Sequence, residues 1–363
     1  MDRATVAVYE AQAGDYLAKR AVVEGARAAA FAAAVPAGAL RLDLGAGPGL
    51  YLDRLGEPVV AGDAAVAMCV EARRRFPGVA AVVHDLEALP FRAGAFGGVW
   101  ASKCLQHVAA DRLPGALAEL HRVLGVGGRL DVTAFSGKDG ITGRASMVSE
   151  DDLPGRLFTF WAPDALADLL VAAGFEVDDL GQDGDRVTAT ATRARTLPDL
   201  VGPGLRLLVC GLNPSLYAAD TGVPYGRPGN RFWPAALAAG LVSVARDPWH
   251  ARRHHGVGFT DLVKRASVGA AELTPVEYRA GAERLDRLVG LLRPRVVACC
   301  GLTGWRAAVD RRATAGAQPR RLGGRPVYLL PNPSGLNAHV KVADIAAHLA
   351  AAAELADRTP LTG

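Results

Sequence analysis

The chain has 363 residues, half of them hydrophobic, which is enough for two cored domains. No apolar run approaches the ~20 residues of a membrane span, and the start, Met1-Asp2-Arg3, has no signal-peptide core. No membrane partner and a cytoplasmic location are therefore expected. Five cysteines (Cys69, Cys104, Cys210, Cys299, Cys300) form no metal-ligand spacing, so no metal site is expected. The net charge of +4 divides unevenly. Residues 1–195 hold 20 Lys+Arg against 25 Asp+Glu, or −5; residues 196–363 hold 21 against 12, or +9. Only the second half has the electrostatic footprint of a nucleic-acid binder.

In chain order, a helical run over Ala21–Val35 leads into a strand at Leu40–Leu44. Asp43-Leu44-Gly45-Ala46-Gly47-Pro48-Gly49 follows. Glycines at a strand-to-helix turn let backbone approach a ligand closely. A second strand, Pro58–Ala61, ends in Gly62-Asp63, where a carboxylate can accept from both ribose hydroxyls. A third, Val79–Val83, ends in His84-Asp85-Leu86. A fourth, Gly97–Ala101, ends in Ser102-Lys103-Cys104. A helix and a fifth strand through Val132 come next, then the helix Pro163–Ala173 and a strand pair, Phe175–Asp179 and Arg186–Arg193.

This order resembles a class I S-adenosylmethionine-dependent methyltransferase over about Val8–Arg193. The resemblance implies a Rossmann-like fold and S-adenosyl-L-methionine as cofactor. It places Asp43 and Gly45 at the methionine end, with Gly47 and Gly49 completing the loop. Asp63 would take the ribose and Asp85 the adenine amino group, with Leu86 beside it. An NAD-binding Rossmann domain is the alternative, disfavoured by the Gly-Ala-Gly-Pro-Gly loop and by the context of Asp85. The methyl acceptor, small molecule or nucleic acid, is not legible: Ser102-Lys103-Cys104-Leu105 stands where base-amino methyltransferases carry Asn/Asp-Pro-Pro-aromatic. His107 reads as a capping or core histidine, with a general base as the alternative.

Thr196–Pro203, rich in Pro and Gly, reads as a linker between domains at 1–195 and 204–363. The strand-like Leu205–Cys210 precedes a long loop, Gly211–Trp233, and long loops are often functional. A helix is expected from Pro234, a basic cluster at Trp249–His255, an amphipathic helix over Pro275–Leu292 and a buried strand over Arg295–Gly301. After the strand Val327–Leu330 the tripeptide Asn-Pro-Ser recurs, in Asn332-Pro333-Ser334-Gly335-Leu336-Asn337. Alone, each copy is a turn signal.

The pair, with Asn230-Arg231-Phe232-Trp233 between, resembles the mismatch-specific uracil-DNA and thymine-DNA glycosylase family over about Gly204–Leu349. The whole chain is thus expected to be α/β, a Rossmann-like domain followed by an α/β/α stack. The resemblance implies excision of uracil or thymine from G·U and G·T mismatches in double-stranded DNA, as in base excision repair, and so a nucleoid association when on DNA. The alternative is chiefly a small-molecule or nucleic-acid methyltransferase whose DNA-docking glycosylase module is weak or silent. It makes Asn213 and Asn332 catalytic, Tyr225 a stacking platform, Ala218 a neighbour of the pyrimidine 5-substituent and Asn230 a brace of the base-binding loop. Gly335, Leu336 and Asn337 would fill the gap left by a flipped base. No cofactor is implied for this half.

Overall fold

The computed structural model describes residues 1–20, 24–137, 141–144, 153–335, 337 and 339–360. It forms two units, Met1–Val171 with Phe175–Ala194, and Arg195–Gly363 with Ala172–Gly174.

In the first unit the strands are β1 Arg41–Leu44, β2 Val59–Asp63, β3 Ala80–Val83, β4 Phe96–Ser102, β5 Leu124–Phe135, β6 Ile141–Arg144, β7 Leu157–Phe160, β8 Phe175–Asp183 and β9 Arg186–Arg193. The helices are α1 Arg3–Tyr16, α2 Gly25–Ala34, α3 Val66–Arg75, α4 Leu113–Val123 and α5 Pro163–Ala172. Seven strands form one sheet in the order β3-β2-β1-β4-β5-β9-β8, while β6 and β7 pair separately. The first five are parallel, and β9 and β8 close the edge antiparallel. β1 is buried throughout, as expected for a strand covered on both faces. The strand order reverses beside β1, so the loop after it opens at a topological switch point. The helix expected over Ala21–Val35 begins at Gly25; residues 21–23 lie outside the described residues. Helix α1 was not anticipated; Asp2 caps it by accepting from Thr5 N–H.

In the second unit the strands are β10 Leu207–Gly211, β11 Val257–Asp261, β12 Val296–Cys300, β13 Gly316–Leu322 and β14 Arg325–Leu330. The helices are α6 Leu216–Thr221, α7 Phe232–Ala238, α8 Pro248–His255, α9 Pro275–Leu292, α10 Leu302–Ala308 and α11 Val342–Arg358. The sheet order is β11-β10-β12-β14-β13, parallel except for β13. Helix α9 carries a capping box: Thr274 accepts from Glu277 N–H, and the Glu277 carboxylate accepts from Thr274 N–H. Helix α7 starts at Phe232, two residues before the expected Pro234. Proline fits in a first turn, where its missing N–H would be unpaired anyway.

The stretch expected to be a linker, Thr196–Pro203, is not a free tether. Leu200 exchanges backbone hydrogen bonds with Phe259 of β11 at 2.9 and 3.0 Å. Asp199 is 1% exposed. Its carboxylate accepts from Lys264 Nζ at 2.6 Å, Arg284 Nη1 at 2.9 Å and Thr260 Oγ1 at 2.7 Å. The stretch read as a linker from its Pro and Gly instead holds a buried carboxylate with two cationic partners. Asp199→Ala would leave Lys264 and Arg284 buried without it, and breaking such a group costs about 3–5 kcal/mol. Denaturant unfolding of the full chain should show this loss; a change under about 1 kcal/mol, the scale of a surface pair, would make the segment a tether after all.

Candidate active sites

In the first unit the loops after β1, β2, β3 and β4 enclose a cavity of about 530 Å³. Gly45 sits at φ +68°, and a Cβ there would lie 2.4 Å from Cys104 Cβ, so the turn admits only glycine. Asp43 is buried and lines the cavity, and its Oδ2 has no hydrogen-bond partner among the described residues. Burial, with Asp63 nearby, pushes its pKa up to about 8. Asp63 also lines the cavity and braces the glycine loop, accepting from Gly47 N–H at 2.8 Å and Ala65 N–H at 2.9 Å. Burial raises its pKa too.

Asp43, Gly45, Gly47, Asp63 and Leu86 thus share one cavity. Gly49 and Asp85 do not join them. Gly49 is a packing glycine: a Cβ there would meet Leu52 at 2.6 Å and Phe76 at 3.2 Å. The half-exposed Asp85 carboxylate accepts from Glu87 N–H and pairs with the Met1 amino group at 2.9 Å. Its chain neighbours His84 and Leu86 line the cavity instead. His84 was passed over in the sequence. It is buried, burial pushes its pKa down to about 4, and neither ring nitrogen has a partner among the described residues. His107, the expected core histidine, is buried but also lines this cavity.

In the second unit a cavity of about 390 Å³ opens where the loops after β10, β11, β12 and β14 meet. Asn213 and Asn332 both line it and are held in opposite senses. Asn213 Nδ2 donates to Arg265 O at 3.0 Å, Ser267 Oγ at 2.8 Å and Pro214 O at 3.2 Å. These acceptors fix which end of the amide is nitrogen, and the carbonyl oxygen is the end left for the cavity. Asn332 Oδ1 accepts from Ser334 N–H at 3.0 Å, so its NH₂ is the end left. One amide offers an acceptor and the other a donor.

Tyr225 lines the same cavity and lies on Phe232, ring centroids 4.3 Å apart and 20° from parallel. Its backbone is left-handed, φ +56°. Trp233 Nε1 donates to Pro224 O, tying down the preceding residue. Asn230 lines the cavity and braces the loop, its Oδ1 accepting from Phe232 N–H at 2.9 Å. Ala218 is not in the lining. Helix α6, capped by Ser215, carries it into the interior at 3% exposure. Its small side chain therefore makes no room for a pyrimidine methyl group.

The two motif loops are joined. Arg231 N donates to Pro333 O at 2.9 Å, and its Nη1 donates to Ser334 O at 3.2 Å and Asn337 O at 2.7 Å. Asn337 Nδ2 donates to Asn332 O. Gly335 and Asn337 therefore belong to a tied loop, while Leu336 lies outside the described residues. Sequence reading also missed Ser267, Arg231 and Asp261. Asp261 is buried with its carboxylate against Gly211, and burial, opposed by Lys264, leaves its pKa at about 6.

Comparison with known proteins agrees with this division. A methyltransferase domain model matches residues 42–132, and a uracil DNA glycosylase superfamily model matches residues 198–355. Among solved structures, the chain is similar to a Burkholderia thailandensis 1,6-didemethyltoxoflavin-N1-methyltransferase at 25% identity. That match covers 52% of this chain and 88% of that one, with TM-score 0.40. A Thermotoga maritima S-adenosylmethionine-dependent methyltransferase matches at 20% identity, over 52% and 99%, with TM-score 0.42. A methyltransferase solved with the Haloferax volcanii Trm112 activator matches at 17%, over 52% and 97%, with TM-score 0.44. Two enzyme-family domains therefore share one chain. The first is a Rossmann-like methyltransferase domain, and the second belongs to the uracil DNA glycosylase superfamily.

The junction of the motif loops is testable through Gly335. A Cβ there would stand 2.7 Å from Gly229 O, a backbone atom that cannot swing away. Gly335→Ala should cost about 1–3 kcal/mol, as overpacking does. A thermal or denaturant midpoint equal to wild type would mean the loops do not touch.

Proposed function

We propose that the second unit is a DNA glycosylase that hydrolyses the C1′–N bond of uracil or thymine in G·U and G·T mismatches, the first step of base excision repair. The first unit transfers a methyl group from S-adenosylmethionine to an acceptor. The observation that carries the glycosylase reading is the opposed pinning of Asn213 and Asn332.

Glycosidic hydrolysis needs a water near C1′ and hydrogen-bond donors to the departing base, which leaves as an anion. Asn213 Oδ1 accepts from the water and orients it. It takes no full proton, because an amide has no accessible pKa. Asn332 Nδ2 donates to the leaving pyrimidine. Tyr225, backed by Phe232, stacks on the flipped base, which is worth about 1–3 kcal/mol. Gly335, Leu336 and Asn337 fill the vacated stack. The +9 charge of residues 196–363 supports double-stranded DNA as partner.

In the first unit the residues present fit the cofactor. Asp43 offers a buried carboxyl oxygen with no partner among the described residues, suited to the ammonium of the methionine moiety. Asp63 retains acceptor capacity for a ribose hydroxyl, and Gly45 and Gly47 let the backbone approach. Bound there, S-adenosylmethionine supplies an electrophilic methyl group.

Two outcomes test these readings. With a pKa of about 8, Asp43 keeps its proton at pH 7, whereas an ammonium ligand needs the carboxylate. S-adenosylhomocysteine should therefore release about one proton on binding at pH 7, and its affinity should rise roughly tenfold per pH unit up to about 8, then level off. Calorimetry in buffers of different ionisation enthalpy measures this, and Asp43→Asn should abolish the dependence. A flat affinity between pH 6 and 8 in wild type would remove Asp43 from the site.

For the second unit, Asn213→Ala should slow single-turnover base release from a G·U duplex by about 10²-fold or more, with duplex affinity near wild type. The amide acts on water and transition state, not on phosphates. Ser267→Ala keeps the amide but frees its nitrogen, and should fall between. Full release by Asn213→Ala would end the assignment.

A further inference from the structure

The first unit's cavity extends past the glycine loop into a compartment that the cofactor-binding residues do not explain. Tyr16 Cε1 stands 3.8 Å from where a Gly47 Cβ would be, and the Tyr9 ring meets the Tyr16 ring edge-on at 5.8 Å. Tyr9 Oη lies 2.8 Å from His107 Nε2. All of these residues line the one cavity, with Phe135, Arg156 and Phe158. The compartment is therefore continuous with the cofactor end and walled by aromatic rings.

Its polar centre has a defined direction. His107 Nδ1 is 2.7 Å from Leu157 O, and a carbonyl only accepts, so Nδ1 carries a proton. In the neutral ring Nε2 is then bare and accepts the Tyr9 hydroxyl proton. Arg156 Nη1 donates to Tyr9 Oη at 2.8 Å. A hydroxyl has one proton and two lone pairs. Tyr9 gives its proton to His107 and one lone pair to Arg156, and the second lone pair is left for a ligand. Arg156 itself lies over both the Tyr9 and Phe158 rings, at 5.4 and 5.0 Å, which fixes it in place. Lys103, at the same cavity, holds a left-handed backbone at φ +58°. Strain of that kind in a non-glycine residue persists where function requires it.

We propose that this compartment takes a planar aromatic or heteroaromatic acceptor bearing a hydroxyl or ring N–H, and that Tyr9 and His107 relay its proton away during methyl transfer. The inference rests on reading this unit as a methyltransferase. A flat ring fits aromatic walls. A nucleophile that is protonated at neutral pH needs a base, whereas a carboxylate or thiolate does not. The step balances within the site. The acceptor's X–H proton passes to Tyr9 Oη while the Tyr9 proton passes to His107 Nε2. The acceptor's freed electron pair bonds the methyl carbon, and the pair of the broken S–CH₃ bond stays on sulfur. The sulfonium charge is thereby replaced by an imidazolium charge, which water discharges. Tyr9 never stands as a free tyrosinate, and the Arg156 donor stabilises its oxygen in passage.

The test uses the full chain, S-adenosylhomocysteine and 4-nitrophenol, whose ionised form absorbs visible light. Calorimetry with S-adenosylhomocysteine comes first; no binding there removes the methyltransferase reading itself. With S-adenosylhomocysteine bound, 4-nitrophenol should bind and ionise at a pH at least one unit lower than in free solution, a tenfold change read without any variant. Tyr9→Phe and His107→Gln should each return its ionisation to the free value while still binding the ring. Both should also slow methylation of a phenolic acceptor by about 10²-fold or more. Three results overturn the proposal: S-adenosylhomocysteine binding with no 4-nitrophenol bound, bound nitrophenol with unshifted ionisation, or a shift that survives in both variants, which would assign it to Arg156 alone.

Discussion

Because β11, β10, β12 and β14 run parallel, the loops that follow them all emerge at one edge of the sheet. That constraint brings together residues far apart in the chain. Asn213 follows β10, Ser267 follows β11, Gly301 follows β12 and Asn332 follows β14, and all four line one cavity. An antiparallel sheet of the same strands would send alternate loops to the opposite edge. In the first unit the parallel run β3-β2-β1-β4 has the same effect on Asp63, Asp43 and Ser102. The strands that run against the others, β13 at one sheet's edge and β9 next to the other's, lie beyond the parallel run and so do not interrupt the row of loops.

Convergence alone would leave flexible loops, and the second unit's cavity depends on their being fastened. Arg231 does most of this, because its backbone N–H and guanidinium both donate to carbonyls of the second motif loop. Gly335 completes it by letting that loop approach Gly229. The amides of Asn213 and Asn332 are then held by acceptors and donors belonging to other segments or to a tight turn. Side chains fixed before a substrate arrives lose little entropy when it binds.

The sequence made the succession of strands in the first unit and the motif residues of the second legible, because those depend on local pattern. Strands read as apolar runs, and Asn213, Tyr225 and Asn332 stand at fixed offsets after them. What it hid was side-chain direction and long-range support. Ala218, Gly49 and Asp85 stand in the expected stretches but do not join the cavity linings, since position in a motif does not decide which residues reach the cavity. Ser267 supports Asn213 from 54 positions away, and no local pattern announces such a contact. Asp199 sits among Pro and Gly in a stretch that reads as a linker. Only the distant Lys264 and Arg284 make it a buried residue.

The two cavities use opposite electrostatics. The first buries ionisable groups, Asp43 and Asp63, whose raised pKa values measure the cost of holding charge away from water. A cationic ligand relieves that cost, so such a site discriminates by charge. The second cavity presents amides, hydroxyls, the Tyr225 ring and one cation, Arg227, and its nearby carboxylate, Asp261, is packed against Gly211 rather than in the lining. On the proposed glycosylase reading, a lining of amides and one cation suits a site beside a polyanion. A carboxylate in the lining would be repelled by phosphate and by a departing pyrimidine anion, whereas an amide contributes the same hydrogen bonds at no charge. On that reading, the absence of a lining carboxylate among the described residues trades the speed of a general base for tolerance of an anionic substrate and leaving group.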